Sequence, residues 1–106
     1  MRTVDRVKTI LADADLLRTN HRRVAETLHI SCSTLARRLR AEGITFQELV
    51  DAERMRRCQF ALELNPDTRG HRLAELCGYT ERNSFYRAFI RWYGESFSDY
   101  RRAHYV

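Results

Sequence analysis

Ala25-Glu26-Thr27-Leu28-His29-Ile30-Ser31, followed by Leu35-Ala36-Arg37-Arg38-Leu39, returns further along the chain as Ala74-Glu75-Leu76-Cys77-Gly78-Tyr79-Thr80, followed by Phe85-Tyr86-Arg87-Ala88-Phe89. The offset is 49 residues at the left of the match and 50 at the right. Each copy reads as a short helix, a tight turn and a second helix carrying arginine. That is the outline of a helix-turn-helix, whose second helix enters the DNA major groove. Two copies predict one chain that addresses two successive groove segments without dimerising.

Working outward, Val4, Val7, Lys8, Ile10, Leu11, Ala14 and Leu17 recur at helical spacing and predict a first helix over roughly 3–17. Thr19 or Asn20 suits the cap of a helix over 21–29, with Val24, Ala25 and Leu28 inward. Ser31 stands at the N-cap of a helix over 32–42 that buries Leu35 and Leu39 and stops at Gly43. Thr45 and Glu48 form a capping-box pattern that opens the longest helix, 46–64, ending before Asn65-Pro66. At about 1.5 Å per residue this helix is roughly 28 Å long. It suits a linker holding two reading heads about one DNA turn, roughly 34 Å, apart. The second half repeats the plan. A helix over 70–77 leads to Gly78, which favours a left-handed turn; Thr80 then caps a helix over 81–92 with Phe85, Phe89 and Trp92 inward. Gly94 ends it, and Ser96 with Asp99 forms a second capping box opening a last helix to about residue 104. The expected fold is therefore all-α: seven helices, with a first subdomain over 1–45, a linker helix over 46–64 and a second subdomain over 65–106.

Composition agrees with this reading. The 106 residues are 43% hydrophobic, enough for a modest core. Each repeat is short for independent folding, so both are expected to pack on a common element. Nineteen basic against 14 acidic side chains give a net charge of +5, and every basic residue except Lys8 is arginine, whose planar fork matches phosphates and guanine edges. Cys32, Cys58 and Cys77 form no CxxC pair, and no Cys/His cluster has zinc spacing. His21, His29, His71 and His104 supply no HxxxH pair, so neither metal nor cofactor is expected. No Ser-His-Asp ordering, apolar carboxylate pair or phosphate-binding glycine loop points to an enzyme. Without a signal peptide or an apolar run of membrane-spanning length, the expected location is the cytoplasm.

The residues Val24-Ala25, Leu28, Ile30-Ser31, Ser33-Thr34-Leu35, Arg37-Arg38-Leu39, Glu42-Gly43 and Phe46 resemble the first helix-turn-helix of AraC/XylS-type transcription regulators. Ala74-Glu75, Cys77-Gly78-Tyr79-Thr80, Ser84-Phe85, Arg87-Ala88-Phe89, Arg91-Trp92, Gly94, Ser96 and Tyr100-Arg101 resemble that family's second-repeat signature. The likeness runs from about residue 5 to 102. One departure is Phe97, where the family usually has proline. The resemblance implies a bacterial DNA-binding transcription factor, generally an activator touching RNA polymerase. Family members normally carry a further domain for effector binding or dimerisation. This chain is thus expected to be the C-terminal piece of a longer regulator, monomeric as it stands, its parent able to dimerise through the missing domain.

Facing away from Leu35 and Leu39, residues Ser33, Thr34, Arg37, Arg38 and Arg40 are left for solvent or DNA. By the resemblance, Ser33, Ala36 and Arg37 occupy base-reading positions. Arg37 can donate two bonds to one guanine, and Ala36 offers only a methyl contact. Ser31, Thr34, Arg38 and Arg40 suit phosphates. In the second head Arg82, Asn83, Tyr86 and Arg87 are expected to project outward and match the family's contact positions, while Thr80 and Ser84 suit phosphates near a helix N-terminus. Arg54 falls on the stripe of Val50 and Cys58. An internal ion pair with Glu42 or Glu53 is expected there, the other reading being a contact coupling the linker to DNA or to the other head. Two competing functions remain open at this point. One is a redox-gated regulator, with Cys32 activated by Arg37 and Arg38. The other is a helical protein-binding adaptor.

Overall fold

The computed structural model describes residues 1–104. Seven helices occupy them, and no strand occurs among the described residues: α1 Thr3–Ala12, α2 His21–Thr27, α3 Cys32–Ala41, α4 Phe46–Leu64, α5 Gly70–Leu76, α6 Arg82–Tyr93 and α7 Phe97–His104. The chain divides into two compact units, Met1–Glu53 and the residues from Arg54 onward, with the boundary inside α4.

In the first unit, α1 and α2 pack on α3. Val7, Leu11, Val24, Ala25, Leu35 and Leu39 close the core together with Leu49 and Val50 from the start of α4. The first helix is shorter than its apolar spacing predicts. It stops at Ala12, and Leu16 rather than Leu17 is buried. The cause is local: the Asp15 carboxylate accepts the Leu17 N–H at 3.0 Å, and the Asp15 carbonyl accepts from Arg18 and Thr19. An aspartate whose side chain satisfies nearby backbone donors stabilises a turn against helix. The N-terminus of α1 has no side-chain cap of its own. Glu42, at the end of α3, supplies it across the unit, accepting from Val4 N at 2.8 Å and Thr3 N at 3.2 Å. Those backbone donors, Val4's foremost, hold the Glu42 carboxyl below its usual value against an opposing effect of burial; Arg2, 3.7 Å away, adds to the lowering.

The second unit has its own core. Leu73, Ala74 and Cys77 meet Phe85 and Phe89 of α6 and Phe97 of α7, and α4 contributes Cys58 and Leu62. One helix thus seats residues in both cores, as the shortness of each repeat requires. Phe89 is edge-on to Phe97 at 5.3 Å and to Tyr100 at 5.2 Å, and stacked on Tyr93 at 4.4 Å. Offset and edge-to-face pairs of this kind add to plain burial. Phe97, the departure from the family's proline, sits at the first position of α7, where proline would preset the backbone. Its ring is buried in the aromatic cluster instead, and the Ser96 hydroxyl accepts the Asp99 N–H at 3.1 Å to start the helix. The Asp99 carboxylate takes Arg102.

The two helix-turn-helix turns are built alike. In the first, Ile30 N–H reaches Ala25 C=O and His29 N–H reaches Glu26 C=O; in the second, Tyr79 reaches Ala74 and Gly78 reaches Glu75. This double bond pattern ends a helix through one left-handed residue. Gly78 fills that place with φ 83°, and His29 fills the equivalent one with φ 59°.

Candidate nucleic-acid interface

Asn20 caps α2 by accepting the Arg23 N–H at 3.0 Å, and Ser31 caps α3 by accepting the Thr34 N–H at 3.0 Å. With Leu35 and Leu39 pinned in the core, helical spacing brings Ser33, Arg37 and Arg40 onto one outward face. All three are exposed, as is Arg38. Thr34 is half-buried, and its hydroxyl accepts from Ser31 Oγ at 2.9 Å. Ala36 is half-buried and lines a groove of about 370 Å³ shared with His21, Arg40, Ile44, Phe46 and Gln47. His21 and Gln47 are thus neighbours of the reading face that the sequence did not single out. The His21 ring packs 5.2 Å from Phe46, and its Nε2 is buried without a hydrogen-bond partner. Cys32 rests half-buried against the first core, in the position of a small apolar side chain.

On α6, Phe85, Ala88 and Phe89 are buried, which leaves Asn83 and Arg87 on the outward face one turn apart. Arg87 Nη2 donates to Ser84 Oγ at 3.3 Å. Arg82 is exposed on the first turn. The helix starts one residue later than expected. Its N-cap is Glu81, with no side-chain cap bond, so Thr80 is an exposed turn residue rather than the cap. Tyr86 does not project outward. It is half-buried against the second core, stacked with Phe97 at 6.3 Å, and its ring tip is lodged over Gly70, where a Cβ would fall 2.8 Å from Cε1 and Cζ and closer still to the hydroxyl. Ile90, next along the Asn83–Arg87 face, is about half exposed. Sequence reasoning passed over it because an isoleucine in an amphipathic helix is ordinarily assigned to the core.

The Arg54 guanidinium lies 4.4 Å from the centroid of the Tyr79 ring, and of its two expected carboxylate partners Glu42 is committed to α1. Arg101, noted only as part of the second signature, has a structural task. It sits over the Phe97 ring at 4.5 Å and donates to the Thr68 carbonyl, tying α7 to the loop that leads into α5.

A family model described as a helix-turn-helix domain matches residues 24–103, a span that takes in both repeats. The chain belongs to the AraC-type helix-turn-helix family. That family comprises transcriptional regulators and is not an enzyme class. Relatives of this AraC-type domain include the HTH-type transcriptional regulator VqsM of Pseudomonas aeruginosa, 34% identical over 93% of the chain, and VirS of Mycobacterium tuberculosis, 38% identical over 74%. The domain spans 27% and 23% of their respective lengths. Among solved structures, a DNA-binding transcriptional dual regulator from Escherichia coli K-12 superposes with a TM-score of 0.86 at 26% identity, covering 97% of this chain and 98% of that one. The C-terminal domain of AraT, a response regulator from Geobacillus stearothermophilus, gives 0.86 at 29% identity, covering 100% and 88%. No helix of the described residues is long and apolar enough to cross a membrane.

Proposed function

We propose that this AraC-type domain binds double-stranded DNA sequence-specifically, inserting α3 and α6 into successive major-groove segments. The observation that carries the reading is the duplicated turn. Both copies end the first helix with the same pair of backbone bonds, and each then presents an arginine, Arg37 or Arg87, on the outward face of the second helix. The proposed organisation is a subdomain over 1–45, a linker helix over 46–64 and a subdomain over 65–106. Ser33, Ala36 and Arg37 read bases in one segment; Arg82, Asn83 and Arg87 read them in the other. A bidentate arginine–guanine pair contributes about 1–3 kcal/mol of discrimination. Ser31, Thr34, Arg38, Arg40, Thr80 and Ser84 hold phosphates, which fix register without reading sequence. Tyr86 positions α6 from behind and leaves base contact to its neighbours.

We further propose that the domain acts in the bacterial cytoplasm, in transcription activation that brings it to RNA polymerase. The domain itself binds as a monomer. Competition binding to a randomised duplex pool near physiological salt tests the reading. Enrichment of an asymmetric site of two short blocks about one helical turn apart is expected. Equal affinity for all sequences, falling only with salt, overturns it.

A further inference from the structure

In the second unit, the last turns of α4, the loop after it and α5 enclose an open groove of about 670 Å³. Its floor is apolar, formed by Phe60, Ala61, Leu64 and Leu76. Phe60 is 56% exposed and Leu64 71%, unusual for large apolar side chains that sit side by side. Contiguous exposed apolar surface rimmed by polar groups marks an interaction site more often than scattered single residues do. Arginines predominate on the rim: Arg56, Arg57, Arg69 and Arg72 line it, against Asp67 as the acidic lining residue, and Arg72 also holds Glu75 at 3.2 Å on the exposed side of α5. None of the side chains assigned to DNA above lines this groove.

We infer that this groove receives an amphipathic helix of a partner protein, one with apolar residues on one stripe and glutamates or aspartates flanking it. Two features select this occupant. Small ligands are held in enclosed pockets that bury most of their surface, whereas this groove is open and leaves Phe60 and Leu64 largely uncovered, which suits the apolar face of a docked helix. The excess of arginine on the rim gives electrostatic complementarity to an acidic segment and raises its rate of encounter. Phe60 and Leu64, one turn apart on α4, and Leu76 on α5 make the apolar anchor points; Arg69 meets the acidic flank, joined by Arg72, which exchanges its exposed pair with Glu75 for a partner carboxylate. The inference is independent of the DNA reading, since it concerns different residues.

The test is a selection from a displayed library of randomised amphipathic helices against the whole 106-residue chain. The expected winners carry apolar residues at i, i+3 or i+4, and i+7 with acidic flanks. They should lose at least about tenfold in affinity to Leu64→Ser or Phe60→Ser, as truncation at a central anchor does. Arg69→Glu with Arg72→Glu should abolish the acidic preference. Leu64 is so exposed that its replacement leaves the fold intact, checked by circular dichroism and by an unchanged urea-unfolding midpoint. The inference is overturned if nothing enriches, if winners show no acidic bias, or if their binding ignores Leu64→Ser and Phe60→Ser. It is equally overturned if phosphatidylglycerol vesicles bind with the same dependence on Leu64 while the peptides do not, which would make the groove a membrane contact.

Discussion

Gly70→Ala tests the seating of the second reading helix. Gly70 is buried at the first position of α5, and a Cβ there would stand 2.8 Å from Tyr86 Cε1 and Cζ. Ordinary contact needs roughly 3.4 Å or more, so the ring must retreat by more than half an ångström, away from Gly70 and into Phe85 and Phe97. Overpacking of this kind costs about 1–3 kcal/mol. Against it, alanine in a helix gains about 0.5–1 kcal/mol over glycine. The net expectation is a loss of roughly 0.5–2 kcal/mol, read by thermal or urea unfolding; for small domains each kcal/mol moves Tm by about 4–8 °C. The decisive comparison repeats the substitution in Tyr86→Leu. Leucine ends before the ring atoms that Gly70 meets, so only the helix-propensity gain is left and Gly70→Ala should become stabilising. The same destabilisation in both backgrounds, or a gain in the native one, refutes the account of Tyr86 as a packed residue.

Three further outcomes follow from the same geometry. Arg101→Leu removes a charged donor from the Thr68 carbonyl and should cost about 2 kcal/mol by urea unfolding, with Arg101→Lys restoring only part because lysine lacks the plane that lies over Phe97. Glu42 has a lowered native pKa, so its contribution to stability is complete above the ordinary glutamate value of 4.5 and is lost as pH falls through the lower native value; Glu42→Gln should flatten that acid limb of a stability–pH curve. Gly78→Ala forces a Cβ into left-handed backbone and should destabilise by about 1–2 kcal/mol in thermal unfolding, whereas His29→Gly at the equivalent turn relieves the same conformation and should not destabilise by that amount.

Local signals carried most of the fold. Thr45, Glu48 and Asn65-Pro66 bounded α4 at 46–64, the span observed, because a cap and a proline act on adjacent backbone. The Thr45 hydroxyl accepts the Glu48 N–H at 3.1 Å, as the capping pattern requires. The repeat gave both turns, and the pinned Leu35, Leu39, Phe85 and Phe89 gave the outward faces. The misreadings have two sources. At α1 and α6 they are short-range: Asp15 competes for backbone donors after Ala12, and Glu81 takes the cap position that Thr80 was expected to hold. The others depend on residues far apart in the chain. Nothing near Tyr86 says that Gly70 will lie under its ring, nothing near Arg101 points to Thr68, and Glu42 caps a helix that begins 39 residues earlier. Apolar periodicity likewise cannot tell that Phe60, Leu64 and Ile90 stay exposed, because it places residues on a helix face without saying what covers that face.

The most direct test of the central claim is the block-by-block preference of Arg37→Ala and Arg87→Ala on the randomised duplex pool. The two-headed account predicts that each variant loses preference in one block, a different one for each, and keeps the other, at a cost of about 1–3 kcal/mol on the wild-type site. Loss of affinity spread evenly over all sequences, or both variants erasing the same block, contradicts it.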